Sequence, residues 1–501
     1  MSAAANLTPR IVARSLGWST VGTVVTRLGN VAVSLVVARL IAPTEFGVFA
    51  VALTVWTICG TMAEFGLGTD LVRAKDIDAR MPTVATLGLA TSGALALGMF
   101  LASDALATAF ESPQAAGVIR VMSLSMLAFG FSIVPAALLQ RQFRQSTLFA
   151  INMIGLVIST VITIALASHG FGAMSLAIAQ VSSQTIVVVA QFVAVRRLPT
   201  FGFDRGIAAQ SVRFCLPLAA ANMLSWVLLS LDNLIVSRTL GTTALGYYAL
   251  AFNVSSWPMS AVGQSIRAVA LPALAHIETP GRRNSAIGLL SGPLWTLSIL
   301  LGLGLASLAT PLVALLYGPR WSAAAPALVG LAVFGGLRVV LDFLATLLIA
   351  AGETTAVLLT QIWWLGVMVP VMWLGVSHYG LLGAGWAHVA VAVAGVLPAY
   401  LYCLTRVGVR VRSFMGGALF PALVAIPVAF AVHQVSSAFA SPLAALAAGG
   451  VSALVLFLAP TGPRLVRQLR LLRDLRPRVT DVEAPVPLLV PTTDTPRSEL
   501  I

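Results

Sequence analysis

Charged residues are scarce in this sequence. Only 9% of the 501 residues are Asp, Glu, Lys or Arg, whereas 58% are hydrophobic. Soluble globular proteins carry about 25% charged residues, because their surfaces face water. The composition therefore excludes a soluble multidomain enzyme. It predicts an all-α polytopic membrane protein, with enough apolar residues for roughly 14 spans of ~20 residues each.

Lysine and cysteine are also scarce. Lys75 is the only lysine and no glycine-rich run precedes it, so the sequence has no P-loop for ATP hydrolysis. Cys59, Cys215 and Cys403 lie far apart in apolar stretches, which argues against a disulfide framework and a zinc site. No nucleophile is paired with a base, and the five histidines are scattered. We therefore expect neither a cofactor nor an enzyme.

Long hydrophobic runs dominate what is present. Fourteen of them are long enough to cross a bilayer as helices, and we predict fourteen spans. The first run is too long for a signal peptide, so we expect it to remain as a span. The runs lie at 16–38, 46–66, 82–102, 117–139, 147–168, 172–195, 212–237, 244–271, 285–310, 323–350, 355–376, 381–403, 414–434 and 441–461.

The basic residues indicate how these spans are oriented. Cytoplasmic loops of membrane proteins are enriched in Lys and Arg. With both termini in the cytoplasm, 23 of the 30 basic residues fall on that side. The net charge of +13 is thereby explained by topology, and we expect no nucleic-acid partner. Arg39, Arg120, Arg238 and Arg320 fall outside, and Arg27, Arg267 and Arg338 fall within spans.

An internal repeat divides the chain. Residues 37–40 and 47–52 match 236–239 and 246–251 without a gap, at an offset of 199. A weaker match joins the Ser-His-Gly sequence at 168 to the related sequence at 377. Repeats of this kind enclose a central path and rock against each other. We therefore predict two pseudo-symmetric six-helix bundles and an extra helix pair.

The predicted domains follow from this repeat. They are a first bundle at 1–205, a second at 206–405, two further spans at 406–463, and a tail at 464–501. Arginine recurs at every third position of the tail from 464 to 476, with leucines between. That pattern predicts a basic amphipathic helix on the anionic inner leaflet, or a docking site for a cytoplasmic protein. We expect the rest of the tail, which is rich in proline, to be disordered.

Three arginines within the spans are candidate phosphate-binding residues: Arg27, Arg267 and Arg338. A charge at the centre of a membrane helix costs about 2.5–3.5 kcal/mol, so it needs a protein-lined or watery place. Guanidinium stays charged there and binds phosphate through two parallel hydrogen bonds. For Arg338 the alternative is simple neutralisation by Asp342, four residues later.

Three carboxylates within or near the spans are candidates for ion coupling: Asp232, Glu64 and Asp342. They would couple transport to H⁺ or Na⁺, and the membrane potential alone is the alternative energy source. Glu64 closes its span, and for it the alternative is a solvated position at the interface.

Polar stripes on two spans predict an aqueous cavity. At about 100° per residue, three glutamines share one face of the sixth span, and three residues of the seventh do likewise. Asn30 and Gln264 lie one turn from Arg27 and Arg267. For the glutamines the alternative is hydrogen bonding between helices. The cavity candidates are Asn30, Gln180, Gln184, Gln191, Asn222, Trp226, Asn233 and Gln264.

The turn between the first two spans resembles a known family. After Arg27-Leu28-Gly29, residues 37–47 read Val-Ala-Arg-Leu-Ile-Ala-Pro-Thr-Glu-Phe-Gly, and residues 64–73 contain Glu-Phe-Gly-Leu-Gly and Leu-Val-Arg. The Ala-Arg-Leu-x-x-Pro-x-Glu-Phe-Gly turn is similar to that of the oligosaccharide-lipid flippases of bacterial polysaccharide export. These belong to the multidrug/oligosaccharidyl-lipid/polysaccharide exporter superfamily.

This resemblance implies a V-shaped exporter in the bacterial plasma (inner) membrane. It would flip a polyprenyl-(pyro)phosphate-linked oligosaccharide from the cytoplasmic to the outer leaflet by alternating access, for cell-surface polysaccharide or lipopolysaccharide biosynthesis. Its partners would be that lipid-linked glycan, whose sugars would meet the cavity candidates, together with anionic lipids and other glycan assembly proteins. Arg27 matches a first-span arginine of the basic cavity in related lipid II flippases, and Arg39 has a structural role in the family turn.

Three rival interpretations remain open. A drug/cation antiporter of the same superfamily would have fewer spans and an acidic cavity. A membrane glycan polymerase or ligase would carry longer loops. A scaffold protein would act through the basic tail.

Overall fold

The computed structural model describes residues 29, 33–64, 66–74, 76–142, 144–197, 200–257 and 280–474. Regular structure in these residues is helical throughout, which confirms the predicted all-α class. Helices satisfy every backbone N–H and C=O within one segment, and in lipid each unsatisfied group costs several kcal/mol.

The first part of the chain forms long helices joined by short ones. These are α1 (33–40), α2 (Pro43–Glu64), α3 (Leu67–Arg73), α4 (Ile77–Leu101), α5 (Ser103–Ala109), α6 (Ala115–Arg141), α7 (Gln145–Ser168) and α8 (Ala173–Val195).

The second part follows the same plan. It contains α9 (Arg205–Leu240), α10 (Thr242–Ser255), α11 (Pro280–Ser307), α12 (Ala309–Leu316), a 3₁₀ helix (Pro319–Ala324), α13 (Ala325–Ala350), α14 (Thr354–Val391), a π turn (Ala392–Val396), α15 (Leu397–Arg406), α16 (Val411–Ser437) and α17 (Pro442–Asp474).

Ten helical stretches of the described residues are long and apolar enough to cross a membrane, so the chain is a multi-pass membrane protein. One of them, Thr355–Arg406, has 52 residues and contains two predicted spans. The chain reverses within it at Gly380 (φ 58°, ψ −138°), a conformation that glycine adopts readily. The count of fourteen stays a prediction, because the runs at 16–38 and 244–271 extend outside the described residues.

The last helix is longer than the predicted final span. α17 runs without a break from Pro442 to Asp474, so Arg464 and the next arginines continue the final span. The guanidinium of Arg464 lies 3.5 Å from the ring centre of Phe420 on α16. Leucines and arginines recur at a helical spacing beyond residue 463, so the helix continues past the end of the apolar run. The proline-rich remainder, 475–501, is outside the described residues.

The two sequence repeats meet where α2 and α10 begin. Thr44 and Thr243, which are 199 residues apart, share a hydrogen bond of 2.8 Å between their hydroxyls. A Cβ on Gly47 would lie 1.9 Å from the carbonyl oxygen of Thr242, and one on Gly246 would lie 2.0 Å from that of Pro43. These reciprocal contacts place α2 and α10 around a local pseudo-twofold axis. We call this end, predicted to face outside, the outer end.

At the opposite end, which we call the inner end, the start of α9 packs on the first half of the chain. Ser211 donates a hydrogen bond of 2.7 Å to the Asp70 carboxylate. Arg80 forms a salt bridge of 3.3 Å with Asp70 and donates to Gln210 at 2.7 Å. Cys215 is buried in the same apolar cluster as Leu71. The sequence repeat assigns these turns of α9 to the second bundle, whereas they contact α3 and α4.

Candidate functional site

A buried polar cluster joins α9, α10 and α14. Asp232 and His388 expose only 4% and 6% of their surface, and Tyr248 is fully buried. The Tyr248 hydroxyl donates a hydrogen bond of 2.6 Å to Asp232 Oδ2. The same oxygen of Tyr248 lies 2.7 Å from His388 Nε2, and Asp232 Oδ2 lies 3.7 Å from that nitrogen. The three side chains therefore form one continuous polar chain.

This geometry fixes how protons are shared in the cluster. With Asp232 ionised, the Tyr248 proton points to the carboxylate, so His388 Nε2 donates to the tyrosine oxygen. His388 Nδ1 has no hydrogen-bond partner among the described residues.

Arg338 on α13 brings a positive charge to the same place. Its guanidinium lies 6.0 Å from the ring centre of Phe252 and 5.8 Å from that of Phe334. It interacts electrostatically with Asp232. The Phe334 ring also contacts His388, at 4.7 Å between ring centres. The buried Asp232 carboxylate and the half-buried Arg338 guanidinium thus attract each other, and two aromatic rings lie beside the guanidinium.

Local structure explains why these residues meet. Gly241 separates α9 from α10 with a positive φ of 85°, which allows the chain to reverse sharply. Asp232 precedes this turn and Tyr248 follows it, so the antiparallel helices bring the two side chains together. The α13–α14 pair packs against them and contributes Arg338 and His388.

Asn233 extends the cluster to the first half of the molecule. Its side-chain nitrogen donates a hydrogen bond of 2.9 Å to Thr54 on α2. Its backbone N–H donates to Asp232 Oδ1 at 2.8 Å. Movement of α2 relative to α9 would therefore shift Asn233, which lies directly beside the buried Asp232 carboxylate.

The glutamines of the predicted cavity lie on α8. Gln191 is buried and accepts a hydrogen bond of 2.8 Å from Ser132 on α6, which matches the alternative of bonding between helices. Gln180 and Gln184 are half-buried. These three residues do not meet the Asp232 cluster, and their contact with sugar stays a prediction.

The other predicted residues are distributed as follows. Glu64 is exposed at the end of α2, as the interfacial alternative expects. Asp342 lies half-buried on α13, one turn after Arg338, and its carbonyl accepts a hydrogen bond from Thr346. Arg27, Asn30, Gln264 and Arg267, and the side chains of Asn222 and Trp226, are outside the described residues.

Sequence reasoning missed Tyr248 and His388. Tyr248 stands in the matched repeat segment as part of an apolar run, and His388 lies alone in a span. The available signal was the combination of an intramembrane Asp and an intramembrane His, since each requires a partner. Only the fold shows that Tyr248 and His388, which are 140 positions apart, are hydrogen-bond partners.

The chain matches a known family over more than half of its length. Residues 36–326, more than half of the chain, match a family described as polysaccharide biosynthesis protein. The chain belongs to this family. The succinoglycan biosynthesis transport protein ExoT of Rhizobium meliloti (strain 1021) is 30% identical over 66% of this chain and 67% of its own length. The lipopolysaccharide biosynthesis protein WzxC of Escherichia coli (strain K12) is 23% identical over 82% of this chain and 84% of its own.

Solved structures share the fold of this family member. The lipid II flippase MurJ, in an inward closed conformation, superposes with a TM-score of 0.73 at 13% identity, covering 89% of this chain and 99% of that one. An inward-facing multidrug resistance MATE family transporter gives 0.61 at 18% identity, covering 76% and 94%. At these identities the likeness establishes the fold alone, and it confirms the predicted exporter architecture.

Proposed function

We propose that this chain flips a polyprenyl-(pyro)phosphate-linked oligosaccharide from the cytoplasmic to the outer leaflet of the bacterial plasma membrane. Family membership supports this, since two relatives are named for the biosynthesis transport of succinoglycan and for the biosynthesis of lipopolysaccharide. The fold, shared with a lipid II flippase, supports it as well, because two halves that rock against each other would give access to each leaflet in turn. Both termini lie in the cytoplasm, and the glycan serves cell-surface polysaccharide biosynthesis.

Arginines bind the phosphate in this proposal. Arg338 is the one candidate whose surroundings are described, and it lies near two aromatic rings and interacts electrostatically with Asp232. Phosphate would compete with Asp232 for the guanidinium, because both are anions that accept its hydrogen bonds. Arg27 and Arg267 would complete the site. The half-buried Gln180 and Gln184, with the other polar candidates, would meet the sugars.

Asp232 couples the cycle to protons in this proposal. The groups that face it from the neighbouring helices are Tyr248, Arg338 and His388. When the carboxylate takes up a proton it loses its attraction for Arg338, and the guanidinium is then free for phosphate. Outward movement of an anion is also driven by an inside-negative potential, about 2.3 kcal/mol per charge per 100 mV.

The arginine-bearing end of α17 is proposed to contact anionic lipids of the inner leaflet. Arg467 and Arg470 are exposed, and a basic residue near such a surface contributes about 1 kcal/mol. Replacing both with Gln would reduce binding to vesicles that contain anionic lipid and leave flipping intact. Loss of binding to a glycan assembly protein in the same variant would favour the scaffold alternative.

Mass spectrometry of lipid extracts tests the proposed function. A strain lacking the protein would accumulate a polyprenyl-linked oligosaccharide that is shielded from reagents added outside the cell. The wild-type chain and the Arg412→Gln control, which changes an exposed arginine, would clear it, and Arg338→Gln would not. No accumulation, with increased drug sensitivity, would identify an antiporter instead. Accumulation on the outer surface would identify a polymerase or ligase.

A further inference from the structure

Two arginines 199 residues apart make equivalent contacts across the outer end. Arg39 donates hydrogen bonds from Nη2 to the carbonyl of Leu315 at 3.1 Å and from Nε to that of Leu316 at 3.4 Å. Arg238 donates from Nε to the carbonyl of Ala109 at 2.7 Å. Each arginine thus binds the end of a short helix, α12 or α5, in the opposite half of the chain.

The accepting carbonyls lack an ordinary partner for a sequence reason. The last carbonyls of a helix have no N–H from the next turn to bind. Pro113 stands four residues after Ala109, and Pro319 stands four residues after Leu315. Proline has no N–H, so neither carbonyl can be satisfied by continuing the helix. The arginine of the other half supplies the missing donor.

Neighbouring residues reinforce both contacts. Ser237, which precedes Arg238, donates from its hydroxyl to the carbonyl of Phe110. The carbonyl of Ala38, which precedes Arg39, accepts a hydrogen bond of 2.7 Å from Nε1 of the fully buried Trp321. All of these bonds run between the two halves, and all would break if the halves separated at this end.

The exposure of the arginines suits a contact that opens and closes. Arg39 and Arg238 are exposed even in this closed arrangement, so water can replace the carbonyl on each guanidinium when the halves separate. A buried charge would make the same step costly. The released carbonyls would likewise become hydrated.

We infer that Arg39 and Arg238 are paired latches that hold the outer end closed, and that both open in each transport cycle. This inference rests on the proposed function, because alternating access requires this end to open. It assigns a state-dependent role to the arginine of the family turn and to its repeat partner.

Cysteine labelling tests the latches in membranes from cells that make the full chain. The reporter is Val51→Cys, in a chain whose three natural cysteines are replaced by alanine. Val51 is fully buried and lies one turn after Gly47. An impermeant maleimide added outside would label it only when the outer end opens. We expect Arg238→Gln, which loses one hydrogen bond, to raise the labelling rate about fivefold. Arg39→Gln, which loses two, should raise it at least as much, and the double variant should raise it further.

The controls keep this test decisive. Arg320→Gln changes an exposed arginine at the same end and should leave the labelling rate unchanged. If a glutamine variant does not accumulate, the Arg39→Lys and Arg238→Lys pair keeps the charge but loses the Nε donors, and it should give a smaller increase. An unchanged rate in a well-inserted double variant would overturn the inference, as would an equal increase in Arg320→Gln. Labelling needs no substrate, so failure of the proposed function would show only in the lipid extracts.

Discussion

The outer and inner ends of this molecule join the same two halves in different ways. At the outer end the contacts are reciprocal, with Thr44 against Thr243 and Gly47 against Thr242. At the inner end they are one-sided, since α9 alone supplies Gln210 and Ser211 to the first half. The inner contacts also lie close to the linker that connects the halves along the chain.

This difference indicates which contacts can break during transport. α9 begins directly after the linker, so its bonds to Asp70 and Arg80 can persist as a tether while the halves rock. The outer contacts have no such chain connection and depend on close helix approach and a few hydrogen bonds. We therefore expect changes at the outer end to alter the balance of states, and changes at the inner end to alter stability.

The largest effect is expected from Gly47→Ala. The new Cβ would lie 1.9 Å from the carbonyl oxygen of Thr242, a backbone atom that cannot move aside, so α2 and α10 would be forced apart. Export should be lost, and Val51→Cys should be labelled in most molecules. Gly98→Ala on α4 is the matched control, because no atom lies within 4 Å of its Cβ. Normal export by Gly47→Ala would contradict the close approach of α2 and α10 at the outer end.

The next largest effect is expected in the buried cluster between the two ends. Asp232→Asn or Arg338→Gln alone leaves one charge inside the fold without the opposite charge that attracts it, and should cost up to about 3–5 kcal/mol of unfolding free energy, the value for a broken buried pair. The double variant should recover most of that stability, because neither charge remains, yet it should not recover export. Thermal unfolding in detergent and lipid extracts measure the two effects. Equal losses that add in the double variant would show that the charges are independent.

Asp70→Asn should have a moderate effect confined to stability. The carboxylate is 12% exposed and binds Arg80 and Ser211, so its loss should cost about 1–3 kcal/mol. The melting temperature should fall while the labelling rate of Val51→Cys stays at the wild-type value. An increase in labelling would mean that the inner contacts also govern opening of the outer end.

The smallest effect is expected from Thr243→Val. It removes one hydroxyl from the hydrogen bond with Thr44 at an exposed position, a loss of about 0.5–1 kcal/mol. The labelling rate should rise a few fold, less than for Arg39→Gln. Thr44→Val should behave in the same way, because the two residues are equivalent. Different results for the two would argue against symmetric opening.

The fold could be largely predicted from the sequence, because hydrophobic runs and charge asymmetry are local signals. The runs at 117–139 and 147–168 correspond to α6 and α7 within a few residues. The hairpin at Gly380 was also predicted, as the gap between two runs. The preference of the first turns of α9 for the first half could not be predicted, since it leaves no pattern in the sequence. That preference depends on packing around Cys215 and Leu71.

The candidate site was less accessible to sequence reasoning. Asp232 and Arg338 stand out because charge within a span is expensive, and in the fold the two charges interact electrostatically. Neutralisation of Arg338 by Asp342, its helical neighbour, stays the alternative to phosphate binding. Contacts such as Tyr248 with His388 join distant parts of the chain and leave no linear pattern.

Reversible cross-linking of the outer end tests the central claim most directly. Thr44→Cys and Thr243→Cys would place two thiols where hydroxyls now lie 2.8 Å apart. Oxidation in cells should lock the outer end, stop export, and cause lipid-linked oligosaccharide to accumulate on the cytoplasmic side until a reductant is added. Export that continues at the wild-type rate in the fully cross-linked protein would contradict an outer end that opens in every cycle.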